Sequence, residues 1–164
     1  MHTYTATVLW QRAADAPFKD NKYSRAHEWR FDGGAVVPAS SSPLSVRVPM
    51  SNAAAVDPEE AVVAAISSCH MLFFLSFAAT SGFVIDRYED EAVGEMGKNA
   101  KGATALLKYI LRPKITWIGD PPSAEQVDKL HHRAHEACYI ANSVTGEVVV
   151  EPRQFAGGPR SPGG

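Results

Sequence analysis

Apolar and polar residues alternate in several segments before residue 57, and this period of two predicts β-strands. Residues 4–10 and 23–31 both follow the pattern. Asp32-Gly33-Gly34 then supplies turn residues before a further extended segment at 35–38, which predicts a hairpin. Residues 44–48 alternate again after a serine-rich loop. We therefore expect a hairpin and one more strand in this part of the chain.

The longest apolar segment, residues 61–85, contains no Asp, Glu, Lys or Arg. Asp57 can cap a helix, Pro58 suits its first position, and the two glutamates that follow complement the positive end of the helix dipole. Gly82 is a suitable C-terminal stop. The sequence predicts a helix from Pro58 to about Ser81.

This segment is also long enough to be weighed as a membrane span. Polar residues interrupt its middle, and acidic residues dominate its flanks. The interrupting side chains are Ser67, Ser68, His70 and Ser76. A helix buried on all sides of a globular protein fits these features better, so no membrane association is expected.

Two long alternating segments, residues 88–96 and 105–117, are expected to form an antiparallel pair. Their predicted inward side chains are Tyr88, Ala92, Met96, Leu107, Tyr109, Leu111, Ile115 and Trp117. A second helix should begin after Ser123, which forms a capping-box pattern with Gln126, and residues 148–150 predict a last strand. The order of elements predicts a single α+β domain over residues 1–152, followed by a disordered Pro/Gly-rich tail at 153–164.

The amino-acid composition narrows the classes of function that the protein could have. The chain has 164 residues, 45% of them hydrophobic, with a net charge of -2 and a pI near 6.3. Nucleic-acid binding requires clustered excess Lys and Arg, so no nucleic-acid partner is expected. The N-terminus lacks the pattern of a secretory signal, which predicts a cytoplasmic protein. Two cysteines are too few to staple a domain of this size, so Cys69 and Cys138 are either inert core residues or carry chemistry.

Cys69 lies in the most apolar helix, where burial alone would leave an inert thiol. To react it needs a nearby cation. In the strand predicted at 23–31, Arg25 and His27 share a face with aromatic residues, so Arg25 points toward the core and requires an anionic partner. An ordinary ion pair at a sheet edge is the alternative for Arg25. Arg47 alternates onto the face opposite its apolar neighbours and is expected to be solvated.

A histidine cluster offers a different chemistry. His131, His135 and Cys138 are spaced i, i+4 and i+7, which places them on one face of a helix, and imidazole with thiolate is a ligand set for zinc or iron. No defined metal motif accompanies them, and a polar or capping role for these histidines is the alternative. The sequence assigns no role to His27, His70 or His132.

The segment Asp57-Pro58-Glu59-Glu60, followed by Ala64-Ala65-Ile66-Ser67-Ser68-Cys69-His70, resembles the family of osmotically inducible and organic hydroperoxide resistance proteins, OsmC/Ohr. The resemblance covers roughly residues 3–152. It implies an OsmC-like fold, an intertwined homodimer with long helices at its centre, and a thiol peroxidase that needs no cofactor. The spacing from Glu59 to Cys69 and the position of Cys138 match the family pattern.

The resemblance leaves the functional arginine open between Arg25, on an early strand, and Arg47, on the strand before the helix. Burial favours Arg25. The chain departs from the family after Cys138, where Tyr139-Ile140 replaces the common Cys-Pro, and its histidines are unusual additions.

The mechanism expected from this resemblance begins with Arg25 stabilising the Cys69 thiolate and Glu59 orienting Arg25. The thiolate attacks an organic hydroperoxide and becomes a sulfenic acid, Cys138 condenses with it to a disulfide, and an external dithiol, such as a lipoyl-type one, restores both thiols. The alternatives are a metal-binding protein and a non-catalytic, ligand-binding stress protein.

Glu59 and Cys69 are separated by ten positions, about 15 Å on a straight helix, so both cannot reach one arginine of the same chain unless the helix bends. We therefore expect Glu59 of one subunit to approach the arginine and cysteine of the other.

Overall fold

The computed structural model describes residues 1–153, which divide into two compact units, Met1–Val62 and the residues from Val63 onward. Within the predicted disordered tail, only Arg153 is described. Its backbone N–H donates to the Pro113 carbonyl at 2.9 Å, and its side chain pairs with Glu91. The rest of the tail, residues 154–164, lies outside the described residues, and the expectation for it stays a prediction.

The first unit contains a three-stranded antiparallel sheet in the order β1-β2-β3. Its strands are β1 (Ala6–Leu9), β2 (His27–Phe31) and β3 (Val36–Ala39). The predicted hairpin between β2 and β3 is confirmed, with Gly34 at a φ of 87° in its turn, a conformation that glycine adopts without strain. Strand β2 begins later than predicted, so Arg25 precedes it.

The strand predicted at 44–48 is wrong, because this segment folds into turns. The backbone N–H groups of Ser45 and Val46 both donate to the Ser42 carbonyl, and Met50 N–H donates to the Arg47 carbonyl. These local bonds use groups that a strand would need for a neighbour. Arg47 therefore lies in a turn, where its side chain is exposed.

The predicted long helix is confirmed as α1 (Pro58–Thr80). Asp57 Oδ1 accepts from the backbone N–H of Glu60 at 2.8 Å, and the Glu60 carboxylate accepts from the Asp57 N–H, which completes a capping box. Gly82, at a φ of 83°, ends the helix, and Phe83 N–H donates to the Ala78 carbonyl.

Burial of α1 is confined to one stripe. Ile66, His70, Phe74 and Ala78, spaced by four residues, are buried, whereas Leu72 on another side is 61% exposed. Within residues 1–153 the expectation of burial on all sides is wrong, because side chains such as Leu72 and Ser76 remain exposed to solvent. Among residues 1–153, α1 alone has the length and apolarity of a membrane span, features that the core helix of a globular protein shares.

The second unit adds two small sheets and the second helix. Its elements after α1 are β4 (Val84–Asp90), β5 (Val93–Lys98), β6 (Thr104–Leu111), β7 (Pro113–Ile118), α2 (Ala124–Ala137), a 3-10 turn (Ala141–Ser143) and β8 (Glu147–Val150). Strands β4 and β7 pair antiparallel, as do β5 and β6, and β8 adds to β6 in parallel. Antiparallel pairing of the two predicted segments is confirmed.

Each of the two long predicted strands is, however, broken in the middle, which distributes the four pieces between two sheets. Asp90 lies at the break. Its carboxylate accepts the backbone N–H of Arg112 at 2.6 Å and the Ser67 hydroxyl at 2.5 Å. The Arg112 N–H therefore bonds a side chain instead of a strand neighbour, and the ladder stops there.

The core of this unit forms where α1, α2 and β7 meet, with Phe74, Ala78, Ile115, Leu130 and Ala134 in contact. Of the predicted inward residues, Tyr109, Leu111 and Ile115 are buried. Met96 and Leu107 are 51% and 38% exposed, so their placement was wrong. The β5–β6 register shifts between Glu95 and Met96 and skips Leu107, and such a bulge reverses the side-chain alternation.

Candidate active site

Helices α1 and α2 bring the two cysteines together in the second unit. Cys138 forms the C-cap of α2, is fully buried, and lies close enough to Cys69 for the two thiols to interact. Its sulfur also lies 4.0 Å from the Ile66 carbonyl oxygen and accepts from the Ala141 N–H at 3.4 Å. Cys69 is half-buried, and both thiols are free. The pair is therefore a reduced dithiol with one accessible member.

The surroundings of Cys138 keep it protonated. Burial raises the pKa of its thiol to about 11, and the hydrogen bond with Cys69 and the negative charge that Cys69 can carry act in the same direction. At neutral pH the Cys138 sulfur is therefore a thiol and not a thiolate. Since the thiolate is the nucleophile, the more accessible sulfur is also the one placed to attack.

Arg25 lies in the first unit, beside an aromatic cluster. Its guanidinium carbon lies 3.8 Å from the centre of the Tyr23 ring, and its terminal nitrogens donate to the Asn21 and Tyr23 carbonyl oxygens and to Asn21 Oδ1. With Trp10 and Phe18 it lines a groove of about 430 Å³. Arg25 is half-buried, and within residues 1–62 it has no carboxylate partner.

Glu59, in the first turn of α1, is half-buried. Its Oε2 atom is buried and has no hydrogen-bond partner among residues 1–153. Glu59 and Arg25 belong to the same unit and do not form an ion pair there. The expectation that Glu59 meets the arginine of a second subunit stays a prediction.

The histidines form a buried pair across the two helices. His70 Nε2 and His131 Nδ1 are 3.0 Å apart, and the two residues are 1% and 5% exposed. Burial lowers the pKa of His70 to about 4 and that of His131 to about 3, and the proximity of His135 to His70, and of His70 to His131, adds to this. Both imidazoles are therefore neutral at pH 7.

The metal-binding alternative predicts that His131, His135 and Cys138 together form one ligand set. The structure pairs His131 with His70 and Cys138 with Cys69 instead, and within residues 1–153 no three His, Cys, Asp or Glu side chains are placed to hold a metal ion. His132 lies on the exposed side of α2, 3.4 Å from Glu136.

Sequence reasoning missed the contacts of Asn21 with Arg25 and the His70–His131 pair. Asp20-Asn21, two residues typical of turns, was the available signal for the first. For the second, the signal was a histidine on the apolar face of each helix. Neither pattern identifies the partner residue. The partner of each histidine lies on another helix, and the contact of Asn21 with Arg25 depends on the conformation of a turn.

Fold and site together define an α+β protein that carries a dithiol between two packed helices. A model of the OsmC-like protein family matches residues 51–153, more than half of the chain. The chain belongs to the OsmC-like family. No curated protein matches it.

Solved structures agree with this assignment. An OsmC-like protein of unknown function from Vibrio cholerae is 52% identical, with a TM-score of 0.92 over 93% of this chain and 100% of that one. An organic hydroperoxide resistance protein from Elizabethkingia anophelis is 17% identical, with a TM-score of 0.67 over 93% and 94% of the two chains. One from Bacillus subtilis is 18% identical, with a TM-score of 0.60 over 93% and 98%. The latter two share the fold with this chain.

Proposed function

We propose that this protein is a cytoplasmic thiol peroxidase that reduces organic hydroperoxides to alcohols. The observation that carries the proposal is the proximity of two free cysteines, of which Cys69 is the more accessible and Cys138 is buried and protonated. Membership of the OsmC-like family supports it, as do the names of two structural neighbours as organic hydroperoxide resistance proteins.

The reaction has three steps. The Cys69 thiolate attacks one peroxide oxygen, the O–O bond breaks, and the alkoxide takes a proton and leaves as the alcohol, so that Cys69 becomes a sulfenic acid. The Cys138 thiol then attacks the Cys69 sulfur, forming a disulfide and releasing water. An external dithiol, such as a lipoyl-type one, reduces the disulfide by exchange and is itself oxidised.

For the activation of Cys69 we propose Arg25, with Arg47 as the less favoured alternative. Arg25 is half-buried and, within residues 1–62, keeps N–H donors without an acceptor, whereas Arg47 is exposed in a turn. Among the described residues, one buried carboxylate oxygen of Glu59 has no partner, and an ion pair with Arg25 of a second subunit would satisfy both groups.

We therefore propose a homodimer as the functional unit. The exposed side of α1, where Leu72 lies, supports a contact between subunits. Light scattering should give twice the mass of the chain, and Leu72→Glu should yield a monomer that has lost peroxidase activity, because burying an unpaired carboxylate in an interface is costly. A folded monomer with full activity would contradict the dimeric site.

Thiol titration before and after one equivalent of an alkyl hydroperoxide tests the proposed chemistry. Both thiols should disappear together and return after treatment with a dithiol. Retention of both thiols in an excess of hydroperoxide would favour a non-catalytic, ligand-binding protein. Elemental analysis of tag-free protein is the corresponding test for the metal-binding alternative, which a stoichiometric metal would favour.

A further inference from the structure

The guanidinium of Arg25 is held by the chain segment just before it. Nη1 donates to the carbonyl oxygen of Asn21 at 3.0 Å and to that of Tyr23, and Nη2 donates to Asn21 Oδ1 at 2.7 Å. The guanidinium carbon also lies over the Tyr23 ring, 3.8 Å from its centre. Asn21 thus supplies two of the three hydrogen-bond acceptors.

Asn21 reaches Arg25 from an unusual backbone conformation. Its φ is 60°, and it is the one non-glycine residue with positive φ among residues 1–153. The left-handed region costs an ordinary L-residue about 1 kcal/mol or more, although asparagine tolerates it better than most. The backbone N–H of Asn21 closes a turn on the Phe18 carbonyl at 3.1 Å. This conformation lets its carbonyl and its side chain both bond one guanidinium.

The backbone of Arg25 is fixed as well. Its N–H donates to the Met50 carbonyl at 2.7 Å. The Trp29 indole N–H donates to His27 Nε2 at 3.1 Å, so a neutral His27 carries its proton on Nδ1, which donates to the Arg25 carbonyl at 2.8 Å. Hydrogen bonds therefore restrain both the backbone and the guanidinium of Arg25.

Two guanidinium donors remain, Nε–H and the second hydrogen of Nη2, and within residues 1–62 they have no acceptor. In a planar guanidinium, Nε–H and the neighbouring N–H of Nη2 share one edge. Such an edge fits two oxygens held close together, as in a carboxylate. The same side chain lines the aromatic groove.

We propose that Asn21 is a positioning residue for Arg25. It holds the guanidinium so that the free Nε–H and Nη2–H edge stays available to an anion. This inference rests on the proposed function in one respect, namely that the positioned Arg25 stabilises the Cys69 thiolate. Asn21 itself does not touch the reacting atoms.

The test measures how alkylation of Cys69 by iodoacetamide depends on pH, in a Cys138→Ser background that leaves one cysteine. Asn21→Gly keeps the left-handed backbone but removes Oδ1. It should move the midpoint of the alkylation profile to higher pH and slow alkylation at pH 7 by about three- to tenfold, the loss expected for one hydrogen bond. Asn21→Ala should do the same and also lower the melting temperature.

Two comparisons make the result specific. In an Arg25→Gln background, Asn21→Gly should have no additional effect, because the residue it positions is gone. Asn99→Gly is the matched control. Asn99 Oδ1 accepts two backbone N–H groups, from Lys101 and Ala103, in a turn of the second unit, and this variant should leave the profile unchanged.

An unchanged profile in Asn21→Gly would overturn the inference, and so would a shift that persists in the Arg25→Gln background. Alkylation needs no hydroperoxide, so this result is separate from the proposed function. A protein that shows the Asn21-dependent shift but does not consume alkyl hydroperoxide would retain the positioning role and lose the peroxidase assignment.

Discussion

Replacing Cys69 by serine should abolish hydroperoxide reduction, whereas replacing Cys138 by serine should stop the reaction after its first step. The two outcomes differ because Cys69 is half-buried and open to the peroxide, while Cys138 is fully buried with a raised thiol pKa. In Cys138→Ser, one equivalent of hydroperoxide should be consumed and Cys69 should remain a sulfenic acid. Mass spectrometry after trapping with dimedone measures that product.

Turnover with an external dithiol provides the control. The wild-type protein should cycle through a Cys69–Cys138 disulfide, visible as a loss of two hydrogens in the intact mass, and neither serine variant should form it. The assignment of roles would be reversed if Cys69→Ser accumulated a sulfenic acid on Cys138. It would be excluded if Cys69→Ser reduced hydroperoxide at the wild-type rate.

The second large effect is the dependence of the protein's stability on pH. The folded protein takes up protons on His70 and His131 only near pH 4 and pH 3, whereas an unfolded chain takes them up near pH 6.5. The stability that depends on neutral imidazoles is thus fully present above pH 6.5 and is lost as the pH falls toward 3. Because the unfolded state then binds more protons, unfolding by urea should become easier, by an amount on the order of 3 kcal/mol for each histidine between pH 6.5 and pH 4.

A variant with both histidines replaced by glutamine, His70→Gln with His131→Gln, isolates this contribution. Glutamine keeps polar atoms that can pair across the helices but does not titrate in this range. The difference in stability between wild type and this variant should shrink from pH 7 to pH 4 relative to a His132→Gln control, since His132 lies on the exposed side of α2. Parallel pH profiles for all three proteins would show that the buried pair contributes nothing to acid sensitivity.

Several features of the fold could be predicted because their cause is local. The capping box at Asp57 and Glu60 and the glycine stop at Gly82 use contacts within a few residues, so sequence spacing was enough to locate α1. The capping box of α2, between Ser123 and Gln126, was found for the same reason.

Other features of the fold were predicted wrongly because they depend on residues that are distant in the sequence. The breaks that divide two predicted strands into four depend on Asp90, which bonds the backbone of Arg112 and the hydroxyl of Ser67. The outward position of Leu107 follows from a register shift against β5. No alternation pattern within one segment carries this information.

The sequence by itself determined the family resemblance and the two helices. It also singled out Cys69 and Cys138, because two cysteines are too few to staple a domain of this size and both match the family pattern. Only the tertiary structure decided between the pairings that the sequence left open for Cys138, either with Cys69, as the resemblance implied, or with the histidines. It placed Cys138 against Cys69, joined His70 to His131 across two helices, and turned Asn21 onto Arg25. The first two pairings depend on packing between helices, and the third depends on a left-handed conformation that residue type alone does not specify.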